Sequence, residues 1–344
     1  MDRTIESILD ALSVAVFIVD ANQTIVYRNA ASVSLFGTGV RNKKLSHFAP
    51  NKRCIRAVEE VLDGADRQSV DVRLQLVVPA SFRMTVVPLN IEGERSDASA
   101  VVSFEDVSHI LEAEQMRTDF VANVSHELRS PLTALYGFIE TLQGPARKDE
   151  QVSDRFLHLM EQEAARMARL IDDLLSLSKL QSAERYAPTE KVEVNGILER
   201  VIASLAPILD KEMASVVTNL SAEKLQVFGD VDELTQVFSN LIENAAKYSH
   251  ADAVVSVSSE VDEKEPDMMR ITVVDQGDGI APQHIARLTE RFYRIDKGRS
   301  RDKGGTGLGL AIVKHILMRH RGRLQIDSVV GQGSTFSVVL PSAP

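Results

Sequence analysis

The sequence predicts a multidomain α+β chain: a small antiparallel sheet with helices, then a long helical hairpin, then an α/β sandwich. Three observations predict it. The length, 344 residues, leaves room for two or three domains of ordinary size, and the composition, 44% hydrophobic and 26% charged, is that of a globular chain. Residues 108 to 183 carry helical periodicity with long stretches free of glycine and proline. On either side of them, short strand-like runs alternate with turns or with helical segments. The boundaries read from these shifts are 1–107, 108–183 and 190–342.

In the first part, Phe17-Ile18-Val19-Asp20 is a short apolar strand, Ala21-Asn22-Gln23 a turn and Thr24 to Tyr27 a second, β-branched strand. Together they predict a hairpin. Strands are also expected at Val70–Val78 and Phe82–Leu89, followed by a polar loop at Glu92–Ser99 and a last strand at Ala100–Phe104.

In the second part, Val121, Ser125, Leu128, Leu132, Leu135, Ile139 and Leu142 form one seam at alternating spacings of three and four. Leu157, Met160, Ala164, Met167, Ile171 and Leu174 form another. Gly144-Pro145 and the polar residues up to Glu150 make the turn between them. A hairpin with one apolar seam per helix cannot enclose a core alone, so two copies are expected to pack as an antiparallel four-helix bundle in a homodimer.

The third part predicts helices at Val194–Lys211 and Val231–Tyr248 and strands at Ala253–Ser259 and Met269–Val274. A glycine-rich region, a helix at Leu308–His320 and strands at Arg323–Ser328 and Thr335–Leu340 complete it.

Composition excludes several classes of function. With 39 basic against 49 acidic residues the net charge is −10, the wrong sign for a surface that embraces nucleic acid. One cysteine, Cys54, can neither close an internal disulfide nor supply a cysteine-based zinc site, which suits a reducing compartment. The longest apolar runs, such as Ala15–Val19 and Leu74–Ala80, fall well short of the ~20 residues of a membrane helix, and Asp2 and Glu6 spoil a signal peptide. No transmembrane segment is expected. The chain is read as cytoplasmic, either whole or as the cytoplasmic part of a longer membrane-bound protein.

The candidate chemistry lies in two constellations. His126 follows seam residue Ser125 by one position, about 100° round the helix, which puts its imidazole off the flank of the bundle. A neutral imidazole nitrogen is nucleophilic, and Glu127 beside it can accept the proton that is displaced on attack. Pro131 should kink the helix one turn beyond. A zinc protease would want a second histidine where Ser130 stands, so that reading fails.

The second constellation is C-terminal. Asn240, Asn244 and Lys247 share a helical face, on which two carboxamides and an ammonium can serve a metal and a phosphate chain. Asp275-Gln276-Gly277-Asp278-Gly279 puts a carboxylate at a strand end. Arg291-Phe292-Tyr293-Arg294 and a basic stretch with Lys297, Arg299, Arg301 and Lys303 precede Gly304-Gly305-Thr306-Gly307-Leu308-Gly309-Leu310, which runs into a helix. Glycines ahead of a helix let backbone N–H groups approach an anion, and phosphate is the natural guest. Leu310 stands where a dinucleotide fingerprint has its third glycine, and no Gly-Lys pair makes a P-loop.

The order of these motifs resembles the sensor histidine kinases of two-component systems over about 108 to 342. Within that family, VSHELRSPLTALYGFIETL, RFYRID and GTGLGLAIVKHI most resemble the phosphate-regulon sensor kinase group. The resemblance implies that His126 is the phosphoacceptor and Glu127 its base. It also implies that Asn244 coordinates Mg²⁺, that Asn240, Lys247 and Arg294 lie near the phosphates of ATP, and that Tyr248 lines the nucleotide pocket. Asp275 would bind the adenine amino group, Gly277 and Gly279 would shape that turn, and Gly305, Thr306, Gly307, Leu308 and Gly309 would belong to a lid. A receiver domain of a response regulator is the implied partner. Relatives that dephosphorylate that partner often carry Thr or Asn where this chain has Ser130, so phosphatase activity is expected but weak.

Residues 1 to 107 resemble a PAS sensor domain through Phe17 to Asp20, Ile25 to Ala31 and Glu105-Asp106-Val107-Ser108. His47 and His109 are read as surface residues, and no cofactor is expected there. Two rival readings, a simple ATPase of the gyrase and chaperone superfamily and a degenerate dimeric scaffold, are opposed by the His126-Glu127 hairpin and by the intact nucleotide motifs respectively.

Overall fold

Five consecutive apolar residues, Ala15–Val19, have no solvent-facing side and form β1, buried along its whole length. Around it, β2 (Ile25–Arg28), β3 (Gln68–Leu74), β4 (Ala80–Pro88) and β5 (Ala100–Asp106) complete an antiparallel sheet in the order β2-β1-β5-β4-β3. The computed structural model describes residues 3–76, 79–89, 99–144, 149–183, 187–222, 226–250, 252–295 and 305–343. The chain divides into two compact units, 1–122 and 123–344.

In the first unit the predicted hairpin forms, and Asp20 shapes its turn by accepting from the N–H groups of Asn22 and Thr24. Helices α1 (Arg3–Asp10), α2 (Ala30–Phe36) and α3 (Lys52–Leu62) accompany the sheet, and the rings of Phe17, Phe36, Phe82 and Phe104 meet edge to face in the core. Cys54 is fully buried and desolvation pushes its thiol up to about 11, so it packs as a small apolar side chain. His47 and His109 are exposed, as expected. The strand expected at Val70–Val78 starts two residues earlier and ends at Leu74. Val77, Val78 and most of the expected polar loop lie outside the described residues.

The hairpin consists of α4 (Ser108–Gln143) and α5 (Glu150–Ala183); of the turn between them, residues 145–148 lie outside the described residues. Pro131 is buried inside α4, which runs on through it. The predicted seams leave Val121, Leu132, Ile139, Leu157 and Ile171 exposed on the single chain. Among the described side chains of α5 the buried ones are instead Leu170, Leu177 and Leu180, a second stripe on a helix that packs against α10 (Gly309–Arg319).

Beyond the hairpin, β6 (Lys191–Glu193) pairs with β8 (Gln226–Phe228). A larger sheet has the order β11-β12-β10-β9-β7, comprising Arg323–Val329, Gly333–Pro341, Met268–Val274, Val254–Val261 and Ser215–Leu220. It is antiparallel except where β7 runs parallel to β9. Helices α6 (Val194–Ser204), α7 (Ala206–Lys211), α8 (Val231–Tyr248) and α9 (Pro282–Ile285) precede α10. The single helix expected at Val194–Lys211 is broken at Leu205, because Pro207 has no N–H to carry the ladder across. β7 has no strand expectation behind it: as an edge strand with no buried residue it lacks the in–out alternation that announces a strand.

The start of α8 is tied to the end of α10 by a buried histidine. Asp230 caps α8 through the N–H groups of Asp232 and Glu233, while its own N–H donates to His320 Nε2 at 3.1 Å. His320 Nδ1 lies 2.8 Å from the Ile316 carbonyl, so the network assigns a neutral ring protonated at Nδ1. Glu233 stands 3.8 Å away, an ion pair only if the ring were charged; with both nitrogens already engaged, the neutral form is the consistent one. Burial lowers the His320 pKa despite the opposing pull of the Ile316 carbonyl and Glu233. A histidine depressed in the folded state binds protons later than in the unfolded chain. Its contribution is therefore present above about pH 6.5 and lost as pH falls through the folded value. The urea midpoint of unfolding should decline below about pH 6.5, and His320→Gln should flatten that decline. An equal acid slope in the variant would place the titrating group elsewhere.

Candidate functional site

One face of α8 is apolar, with Leu234, Val237, Phe238, Leu241, Ile242 and Ala245 all buried, and this fixes its polar stripe outward toward a cleft of about 440 Å³. Asn240, Asn244, Lys247 and Tyr248 all line that cleft, as their helical spacing predicts. Lys247 Nζ is 2.5 Å from Glu243 Oε1, one turn back. The amide nitrogen of Asn240 is buried with no hydrogen-bond partner among the described residues, a donor suited to an acceptor such as a phosphate oxygen.

The end of β10 delivers Asp275, which is only 5% exposed. Its Oδ1 accepts from the N–H of Gly277 at 2.9 Å and of Ser334 at 3.1 Å, which fixes the carboxylate in the cleft wall. Burial raises its pKa, an effect those two N–H groups partly offset. Gly277 and Gly279 both line the cleft. At Gly279, φ is +69°, and an added Cβ would lie 2.1 Å from the Val329 carbonyl oxygen, so no other residue fits that turn.

Gly305, Thr306 and Gly307 line the cleft ahead of α10, and Gly309 does so at its first turn. Leu308 does not: its side chain is fully buried, and only its N–H reaches back, to Thr306 Oγ1 at 3.2 Å. Gly304 and the basic residues Lys297, Arg299, Arg301 and Lys303 lie outside the described residues. Arg294 lines the cleft, and its guanidinium also comes within 3.8 Å of Glu127 Oε2 on α4.

His126 stands apart. It is exposed, borders an open hollow with Arg129, Ser130, Thr133 and Ala134, and is not among the residues lining the cleft. Ser130 shares its face, as the four-residue spacing predicts. Glu127, one step round the helix, faces α5 instead and meets Arg166 at 3.2 Å.

Sequence reasoning missed a further wall of the cleft, made by Arg169, Asp172 and Asp173 of α5. Asp173 accepts a hydrogen bond from the Thr306 hydroxyl at 2.8 Å, and burial raises its pKa. The signal was present: Leu170, Asp173, Leu177 and Leu180 repeat at spacings of three and four, a second stripe beside the seam assigned to the bundle.

A buried carboxylate at a strand end, a polar helical stripe and a glycine-rich segment thus border one cleft, and an exposed histidine stands apart from it on α4. Residues 3–69 match the PAS domain family, 116–183 the His Kinase A (phospho-acceptor) domain, and 229–344 the histidine kinase-, DNA gyrase B- and HSP90-like ATPase family. The chain belongs to the sensor histidine kinases and is an ATP-dependent protein-histidine kinase.

Among its relatives is the phosphate regulon sensor protein PhoR of Pseudomonas aeruginosa, 37% identical over 98% of this chain and 74% of the relative. SenX3 of Mycolicibacterium smegmatis is 34% identical, covering 100% of this chain and 87% of its own. WalK of Bacillus subtilis is 36% identical over 77% of this chain, which spans only 44% of that protein. The fold is also that of histidine kinase ThkA, solved in complex with response regulator protein TrrA, at TM-score 0.54 and 20% identity over 98% of both chains. Acinetobacter baumannii histidine kinase AdeS matches 64% of this chain and 98% of its own, at TM-score 0.50 and 27% identity. Among the described residues, no helix is long and apolar enough to cross a membrane.

Proposed function

We propose that this kinase transfers the γ-phosphoryl group of ATP to His126, passes it to an aspartate in the receiver domain of a response regulator, and hydrolyses that phosphoaspartate. The observation that carries the reading is the gathering of Asp275, the Asn240–Lys247 stripe, Arg294 and the glycine lid around one cleft. In the first step a ring nitrogen of His126 forms the N–P bond while the bond from γ-phosphorus to the ADP oxygen breaks. The displaced ring proton passes to Glu127. Such transfer needs mainly positioning and charge neutralisation, which Lys247, Arg294 and the lid N–H groups supply. His126 lies outside the cleft, so transfer requires the ATP-binding part to move relative to the hairpin.

The donor set suits Mg²⁺. Asn244 offers a hard carboxamide oxygen, and Mg²⁺ takes few protein ligands when phosphates and waters supply the rest. Asn244 would hold the ion, whose charge would offset that of the phosphates. Two copies are proposed to pair through the exposed seam residues Val121, Leu132, Ile139, Leu157 and Ile171, which burial in a four-helix bundle would cover. Residues 1–107 act as the sensor, 108–183 as the dimerising phosphoacceptor hairpin and 190–342 as the ATP-binding part. Similarity to PhoR supports a place in phosphate-regulon signalling, on the cytoplasmic side.

Incubation with γ-radiolabelled ATP is expected to leave acid-labile, base-stable label on the chain. Acid-stable label, or nucleotide hydrolysis with none, would overturn the assignment. Ser130 can orient an attacking water as Thr does, but without the methyl that restricts χ1. Ser130→Thr is therefore expected to raise hydrolysis of the phosphorylated regulator and Ser130→Ala to lower it, each by about ten-fold or less, with autophosphorylation largely kept. Wild-type hydrolysis by Ser130→Ala would remove Ser130 from that reaction.

A further inference from the structure

The assigned roles leave out the residue that holds Glu127. Arg166 of α5 is only 11% exposed, and its guanidinium stands 3.2 Å from Glu127 Oε2. Glu163 of the same helix lies 3.8 Å from another nitrogen of that guanidinium, with its Oε2 buried and without a hydrogen bond among the described residues. Arg294 approaches the same oxygen of Glu127 at 3.8 Å. Among the described residues, the ionisable groups next to Glu127 are thus its chain neighbour His126 on α4, Arg166 of α5 with Glu163 behind it, and Arg294 of the ATP-binding part.

The two arginines differ in what carries them. Arg166 and Glu127 sit on the same helical hairpin, so their contact survives any movement of the ATP-binding part. Arg294 also lines the nucleotide cleft, and in the proposed reaction its charge is required at the phosphates. A guanidinium that neutralises a phosphoryl group is withdrawn from Glu127. With neither arginine in place the carboxylate would have several torsions free, and a base that is not held in one position loses most of its effect.

We propose that Arg166 is a positioning residue for phosphoryl transfer, fixing the Glu127 carboxylate on the flank of α4 next to that of His126 while Arg294 serves the nucleotide. The planar, permanently charged fork of arginine suits this role: it grips one carboxylate oxygen and leaves lone pairs on the other for the proton from His126. The inference rests on Glu127 being the base, and the test separates the two claims.

Initial rates of autophosphorylation are measured against ATP concentration for the full chain, for Arg166→Ala, Arg166→Lys and Glu127→Gln, and for the double variant Glu127→Gln with Arg166→Ala. Arg166→Ala should lower kcat about ten-fold while KM for ATP stays within about two-fold, and Arg166→Lys should recover part of the loss. In the Glu127→Gln background, Arg166→Ala should cost nothing further, because its effect passes through the carboxylate. An unchanged kcat in Arg166→Ala would overturn the proposal. So would an equal fold-loss in both backgrounds, which marks an independent or merely structural role. If Arg166→Ala does not fold, Arg166→Gln takes its place in the same cycle and is read by the same criteria. A wild-type rate in Glu127→Gln alone would instead overturn the base assignment beneath it.

Discussion

His126→Ala is expected to eliminate stable phosphorylation of the chain while nucleotide affinity and thermal stability stay near those of the wild type. The imidazole is exposed on α4 and lies outside the cleft, so its removal breaks no packing and touches no nucleotide contact. Exposed substitutions of this kind usually change stability by less than about 0.5 kcal/mol, and alanine favours a helix more than histidine does. The loss should be complete, because in the hollow that His126 shares with Arg129, Ser130, Thr133 and Ala134 the two hydroxyls would give acid-stable esters and the guanidinium, permanently protonated, is no nucleophile. Purified variant and wild type are incubated with labelled ATP and compared before and after acid, with calorimetry for nucleotide binding. Acid-labile label on the variant would move the phosphoacceptor to another residue.

Gly307→Ala should weaken nucleotide binding by about ten-fold or more. Gly307 has φ +73°, where a side chain costs about 1 kcal/mol or more, and an added Cβ would lie 2.9 Å from Cα of Phe292. That neighbour is backbone and cannot rotate away: the Phe292 N–H donates to the Gly307 carbonyl at 2.8 Å, so the two segments are fastened face to face. The extra carbon forces them apart and carries the lid with them. Asn244→Ala is its chemical counterpart, removing an oxygen rather than a conformation, and its loss of affinity should shrink when Mg²⁺ is withheld, whereas that of Gly307→Ala should persist. Titration calorimetry with a non-hydrolysable ATP analogue, with and without Mg²⁺, reads both. Wild-type affinity in both variants would show that the cleft is not the nucleotide site.

Local order explains which of these residues can be found without coordinates. Asn240, Asn244, Lys247 and Tyr248 repeat at helical spacing, and all four line the cleft. Asp275 is legible because it follows an apolar strand directly and precedes two glycines. The β1–β2 hairpin, α8 and the closing strand pair were legible for the same reason: period and turn residues are properties of a few consecutive positions. Leu308 shows the limit of that reasoning. It sits in the middle of a glycine motif, yet its side chain faces the core, because the chain turns into α10 at that point.

The sequence by itself determined the division into a sheet domain, a helical hairpin and an α/β part, the exposed position of His126 and most of the polar residues and glycines that line the cleft. Each depends on short-range periodicity. Only the tertiary structure decided that Leu170, Leu177 and Leu180 of α5 are buried, that Asp173 reaches Thr306, and that Arg166 and Arg294 converge on Glu127. The three polar contacts join residues 39, 133 and 167 positions apart. The physical reason is that a helix displays its stripes to every direction at once. Periodicity shows that a second stripe exists on α5, but the partner that buries it is chosen by how distant elements fit together.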